Sequence, residues 1–194
     1  MDAVSLYINW VLSAVYGQLR EADTIASMAP DAIEDVAAFL MRKCPVTPRP
    51  LYRGILLDDE HPFNDDHKVM SVSWSEDIDV ARWFASPNSY ISAPFKDKHP
   101  SIRGYVLTMD PPENVLFHYS WRNAFGRPLE QLALIHPMMG AEGHRQIKWS
   151  LDTQREVITA PSAAARAWQR TPLAELPGTP LAELDRRLTP SWVS

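Results

Sequence analysis

A single cysteine, Cys44, occurs among the 194 residues. No disulfide can form within the chain, and a reducing compartment, the cytoplasm, fits that composition. Histidine is also scarce. The six histidines contain no H-x-x-x-H pair, and one cysteine is too few to complete a zinc set with them, so no metal site is expected. Asp65, Asp66 and His67 stand together, but such a cluster is far more often a solvated turn than a metal ligand set. The seven glycines form neither G-x-G-x-x-G nor a Walker loop, which removes the two commonest nucleotide-phosphate cradles. No G-x-S-x-G is present, so a serine-hydrolase elbow is not indicated. Long apolar runs are missing. The stretch at residues 8–16 is short and is interrupted by Asn9 and Ser13, so no membrane span is expected. The first basic residue is Arg20, which leaves no basic region ahead of that stretch and argues against a secretory signal. Positive charge is in deficit, with 19 Lys and Arg against 24 Asp and Glu, a net charge of −5. A general electrostatic footprint for nucleic acid is therefore lacking. A local basic patch from Arg122, Arg127, Arg145 and Lys148 stays open as the lesser alternative.

What the chain does contain suits one domain with appendages: 45% hydrophobic and 22% charged residues, enough to bury a substantial core. Residues 1–44 read as a helical segment. Val4, Ile8, Val11, Leu12 and Val15 recur at helical spacing. A second helix opens at Pro30 and Asp31, with Glu34 and Asp35 in its first turn and an apolar stripe of Ile33, Val36, Ala37 and Leu40. A proline cluster at Pro45, Pro48 and Pro50 closes this segment. From Leu51 onward short apolar runs alternate with turn residues. Strands are expected at residues 51–57, 69–73, 104–109, 114–119, 146–149 and 154–159, the last two joined by a tight turn at 150–153. A helix is expected across 77–85 with Ser75 as its cap. The pattern specifies an α+β fold with two small packed sheets and peripheral helices. The core spans residues 45–162, and a tail spans 163–194. In that tail Thr171–Leu176 and Thr179–Leu184 repeat the sequence Thr-Pro-Leu-Ala-Glu-Leu; Thr-Pro starts helices well, and two short helical turns packing on the core are expected.

Three groups of residues carry chemistry. Arg53 lies on the first strand, in Leu51-Tyr52-Arg53-Gly54. Serines cluster at Ser71, Ser73 and Ser75. A lone carboxylate, Glu156, lies two residues after Gln154. On a strand, alternate residues share a face, so Gln154 and Glu156 point one way, as do Ser71 and Ser73. If the two strands are neighbours, a carboxylate meets a serine hydroxyl. A solvent-facing strand edge explains the same residues equally well when each is taken alone.

Taken together and in this order, the region from Leu51 to Thr159 resembles the ADP-ribosyltransferase family of the Arg-Ser-Glu clade. Leu51-Tyr52-Arg53-Gly54 resembles its first motif and Ser73-Trp74-Ser75 its Ser-Thr-Ser segment, with Ala81 and Phe84 continuing into the helix. The stretch from Gly104 to Leu116 is similar to its connecting strand and turn, and Gln154-Arg155-Glu156-Val157 matches its Gln-x-Glu motif. Trp74 departs from the pattern, standing where a small residue is usual. The resemblance covers a little over half the chain, leaving residues 1–44 and the tail outside it.

The resemblance implies an ADP-ribosyltransferase-like core that uses NAD as co-substrate and no metal. It implies that Arg53 binds the NAD phosphates through a planar fork. Glu156 would act at the ribose, stabilising positive charge as the glycosidic bond breaks, and Ser73 would hold Glu156 by a hydrogen bond. Gly54, Trp74, Ser75 and Phe84 fall in the cofactor-binding segments, and Tyr90 or Phe95 is placed to stack on nicotinamide. Gln154, where Glu would favour arginine, implies an amide acceptor on a protein, foremost asparagine, with Trp149 as a contact to the target. Phage- and bacterium-encoded members of this family disable host or defence complexes, one of them an anti-CRISPR protein, so a cytosolic effector is implied by analogy. Two alternatives stay open: an NAD glycohydrolase using the same residues, and a non-catalytic inhibitory protein on the same fold.

Overall fold

A computed structural model describes residues 30–57, 73–89, 101–113, 115–123, 140–159 and 168–193. Six strands, β1 (Leu51–Leu57), β2 (Ser73–Ser75), β3 (Arg103–Met109), β4 (Val115–His118), β5 (Glu156–Thr159) and β6 (Trp168–Pro172), form one sheet in the order β4-β5-β2-β1-β3-β6. Every neighbouring pair is antiparallel. The class is α+β as expected, but the described strands make one sheet where the sequence predicts two. The reason lies at its centre. β1 and β3 pair along seven residues, whereas β1 and β2 pair only at Tyr52 and Ser75. Two three-stranded halves are thus joined by a single residue pair, and a cleft lies at that seam.

Four α-helices stand among the described residues: α1 (Pro30–Lys43), α2 (Ile78–Phe84), α3 (Gly140–Trp149) and α4 (Leu181–Leu188). Helix α1 starts on proline, whose missing N–H is no loss in a first turn, and ends on Arg42 and Lys43, which suit the negative end of the helix dipole. It buries Ala37 and Leu40 and packs against β4. The strand expected at residues 146–149 is instead the last turn of α3. Ile147 and Trp149 alternate like strand residues, but Gly143 and Ile147 are buried at the i, i+4 spacing of a helix. The expected tight turn is a π-helical turn, Ser150–Gln154. The capping residue of α2 is Asp77, whose carboxylate accepts from Asp79 N at 2.9 Å. Ser75 sits two residues earlier, accepting from Asp77 N at 3.0 Å. The first expected helix and the segment 69–72 lie outside the described residues.

The repeated tail motif adopts two different structures, for a local reason. In the first copy, Thr171 and Pro172 end β6 and Leu173–Glu175 make one 3-10 turn. Pro177 follows, and proline disfavours helical backbone at the residue before it. In the second copy Asp185 stands where that proline would fall, and the helix runs on to Leu188. The two copies clasp α2 from both sides. Leu173 and Leu176 pack on Ala81, Ala85 and Val106, while Leu181 and Leu184 pack with Val80, Trp83, Trp149 and Leu188. The tail is therefore part of the core, contributing an edge strand to the sheet and a helix to its cover.

Polar bonds fix this clasp. Asp79 accepts from Arg82 at 2.9 Å, from Thr179 at 2.8 Å and from Arg187 at 3.3 Å. Trp83 Nε1 donates to Asp185 at 3.0 Å. Burial disfavours the Asp79 charge, but the hydrogen bonds from Thr179 and Arg82 and the charges of Arg82 and Arg187 outweigh it, so its pKa lies below the ordinary value. The stabilisation from a depressed carboxylate is complete above its unfolded pKa of about 4 and is lost as pH falls through the lower folded value. We expect Asp79→Asn to lower the melting temperature at pH 7 by a few degrees, about 1–2 kcal/mol. Thermal melts repeated at decreasing pH should show the two proteins converging below about pH 4; a constant gap would mean that the charge contributes nothing.

Candidate functional site

The cleft at the seam is lined by Tyr52, Arg53, Gly54, Ser73, Trp74, Ser75, Val80, Ala81, Phe84, Gln154 and Glu156, with a volume of about 180 Å³. That volume suits a small ring and part of a sugar, and leaves the rest of a larger ligand outside. Residues 58–72 and 90–100, which follow or precede lining elements in the chain, are outside the described residues.

Each polar group in the cleft is placed by a definite bond. β2 and β5 pair in the register Ser73 with Ile158, Trp74 with Val157 and Ser75 with Glu156. Ser73 and Glu156 are therefore diagonal neighbours across the ladder, within reach of one another. Ser73 Oγ donates to Glu156 Oε1 at 2.7 Å, as the serine–glutamate expectation requires. Ser150 Oγ, from the π-helical turn, donates to Glu156 Oε2 at 2.5 Å. Both carboxylate oxygens are thus held by hydroxyls, which is how a side chain only 6% exposed satisfies its acceptors.

Where the β1–β2 ladder stops, a side chain takes over: Arg53 Nη1 donates to the Ser73 carbonyl at 2.6 Å. The Arg53 Nε is buried with no hydrogen-bond partner among the described residues. Loss of water around the guanidinium lowers its pKa from the ordinary arginine value to about 10, a shift that the nearby Glu156 charge opposes. At neutral pH the group is charged and poorly solvated. A charged, poorly solvated guanidinium lining a cleft is of the chemical type that pairs with anions.

Gln154 reaches the cleft by a route that strand alternation does not describe. It ends the π-helical turn, and Arg155 after it adopts left-handed backbone, φ 47° and ψ 53°. No other non-glycine residue among those described has positive φ. Such a conformation is costly for an L-residue and accumulates at functional turns. It turns the chain sharply into β5, so Gln154 and Glu156 share the cleft although only Glu156 is on a strand. Ser75 Oγ donates to the Gln154 carbonyl at 2.6 Å, anchoring the end of the turn to β2. Its outer side is tied by Asp152, which pairs with Lys148 at 2.6 Å and with Arg122. Arg122 and Lys148, expected to form part of a basic patch, thus share one carboxylate. Burial disfavours the Asp152 charge, yet the hydrogen bonds and charges of Lys148 and Arg122 bring its pKa below the ordinary value.

Beyond Ser75, Glu76 faces away from these groups into a second polar cluster. It lies 3.1 Å from His118 Nε2, accepts from Tyr119 Oη at 2.9 Å and has Arg49 at 3.8 Å. Burial first, then the Glu76 hydrogen bond and charge, raises the Tyr119 pKa. The cluster links the end of β2 to β4.

Of the residues singled out by sequence, the cleft gathers Arg53, Gly54, Ser73, Trp74, Ser75, Phe84, Gln154 and Glu156. Tyr90, Phe95 and Ser71 lie outside the described residues. Trp74 is buried and forms part of the cleft wall. Trp149 is not a surface contact. It packs edge-on against Trp83, with ring centroids 6.0 Å apart, and donates its Nε1 proton to the Leu188 carbonyl at 3.1 Å. The indole belongs to an apolar core that gives its one polar atom a backbone partner. Ser150 also reaches the carboxylate, but a turn serine ahead of a strand has no distinctive pattern; its i, i+4 and i, i+6 spacing to Gln154 and Glu156 is the only trace in the sequence. Among the described residues no group of three or more His, Cys, Asp or Glu side chains is arranged to hold a metal, and no helix is long and apolar enough to cross a membrane. Comparisons with protein families, with curated proteins and with solved structures find no match for this chain.

Proposed function

We propose that this protein is a mono-ADP-ribosyltransferase, with an ADP-ribosyltransferase-like core, that cleaves the nicotinamide–ribose bond of NAD and passes ADP-ribose to a protein side chain. The observation that carries the proposal is the convergence of Arg53, Ser73 and Glu156, far apart in sequence, on one cleft within direct hydrogen-bond reach. Arg53 offers an under-solvated planar cation for the pyrophosphate. Breaking the N-glycosidic bond moves its electron pair to nicotinamide and leaves positive charge on the ribose. Glu156, fixed by two hydroxyls, places negative charge beside that ribose without having to reorganise. Apolar walls from Val80, Ala81 and Phe84 suit a flat ring. Gln154, a neutral amide beside the carboxylate, favours an amide-bearing acceptor, asparagine first, because donor and acceptor sites of two amides match. A cytosolic effector directed at a host or defence complex is the setting the resemblance suggests.

Incubating the purified protein with a host lysate and labelled NAD should label a protein band, and Glu156→Ala should label none. Equal labelling by both would remove Glu156 from the chemistry. Nicotinamide release without labelled macromolecule would assign the same cleft to NAD hydrolysis.

A further inference from the structure

We infer that Ser150 is a positioning residue that couples the carboxylate of Glu156 to the amide of Gln154. The inference rests on the NAD-cleaving role proposed for the cleft. The buried hydroxyl lies 2.5 Å from Glu156 Oε2 and 3.3 Å from Gln154 Oε1. A hydroxyl has one proton to give, and a carboxylate oxygen at the shorter distance is the stronger acceptor. The proton therefore goes to Glu156, and the oxygen of Ser150 presents lone pairs to Gln154. A lone pair is satisfied by the amide NH2, not by the amide carbonyl. Since the two ends of a glutamine amide are distinguished only by their bonding, the relay runs from Gln154 Nε2 to Ser150 Oγ to Glu156 Oε2. It leaves the side-chain carbonyl of Gln154, as distinct from the backbone carbonyl that Ser75 bonds, as the group available to an incoming acceptor. An acceptor offering an N–H or O–H to that carbonyl is then aligned by the same hydroxyl that fixes the carboxylate.

The backbone supports this assignment. Ser150 begins the π-helical turn directly after Trp149, which is locked in the core by its bond to the Leu188 carbonyl. The far end of the turn is held by Ser75 at the Gln154 carbonyl and its middle by Asp152. A hydroxyl on so constrained a turn has little freedom to leave its partners, and neither neighbour in the chain could replace it.

The test measures nicotinamide release from NAD by the full chain. Ser150→Ala should lower kcat by about 10- to 100-fold while changing the KM for NAD less than about threefold, because Ser150 touches the carboxylate and not the phosphate anchor. Ser150→Thr, which keeps the hydroxyl, should restore most of the rate. Gln154→Ala should cost less in the Ser150→Ala background than in the wild type, because the relay is already broken. Should Ser150→Ala fail to fold, Ser150→Cys, of similar size and a weak donor, carries the same expectation. An active wild type with an equally active Ser150→Ala or Ser150→Cys would overturn the relay alone, as would a Ser150→Thr no better than Ser150→Ala. A wild type that releases no nicotinamide would overturn the NAD role and the relay with it.

Discussion

Glu156→Gln is expected to release nicotinamide from NAD about 10²- to 10⁴-fold more slowly than the wild type, with the KM for NAD little altered. The substitution keeps shape and volume and retains atoms able to bond Ser73 and Ser150, so the fold should be undisturbed. What it removes is charge. In the ground state NAD gains little from a carboxylate at its ribose. As the glycosidic bond lengthens, the ribose becomes cationic and a fixed anion beside it stabilises the transition state selectively, worth about 3–5 kcal/mol at these rate ratios. Loss confined to kcat is the signature of such a group. Steady-state kinetics by chromatographic detection of nicotinamide will show it, and a variant that raised KM at constant kcat would assign Glu156 to binding instead.

The largest structural effect is expected at Gly54. A Cβ built there would stand 2.0 Å from the Ala81 carbonyl oxygen, 2.5 Å from Ala85 N and 2.8 Å from the Phe84 Cβ. The first two are backbone atoms of α2 or of its C-terminal cap, and they cannot swing aside as a side chain would. Gly104 on the neighbouring strand meets the same turn, with its Cβ position 1.8 Å from the Ala85 carbonyl. Helix α2 thus rests directly on the backbone of β1 and β3, and this contact sets Ala81 and Phe84 into the cleft wall. Gly54→Ala must push the helix away, at a cost of about 3 kcal/mol. The expected result is a marked drop in the urea midpoint, accompanied by loss of activity even where the protein stays folded. A midpoint within experimental error of the wild type would show that the helix is not seated as described. The role of Gly54 is therefore packing first, and any contribution to cofactor binding follows from the helix position it permits.

These two sites illustrate what was legible in the sequence. Local alternation and composition placed β1, β3, β4 and α2 closely, because short apolar strands bounded by proline and polar turns leave few options. The meeting of a serine hydroxyl with the Glu156 carboxylate follows from the sequence only if the two strands are neighbours; the register that makes Ser73 the diagonal partner, at 2.7 Å, is seen only in the fold. The approach to Glu156 was not legible. Gln146, Ile147, Lys148 and Trp149 alternate as a strand would, but the burial of Gly143 with Ile147 selects a helix. With the helix came the π-helical turn, the left-handed Arg155 and the inward Ser150, none of which has a pattern in single-sequence periodicity. The burial of Trp149 is hidden for the same reason. Its partners, Trp83 and Leu188, come from elements 66 and 39 positions away and meet it only in the folded core. The exchange of the tail into the sheet was equally hidden, since β6 is short and earns its place by pairing with β3 along five residues.

The most direct test is a crystal soaked with an uncleavable NAD analogue. The account predicts density with the pyrophosphate against Arg53, nicotinamide against Val80, Ala81 and Phe84, and the ribose 2′-hydroxyl within hydrogen-bond distance of Glu156. An analogue bound elsewhere on the surface, or seated in the cleft with its ribose turned away from Glu156, would contradict it.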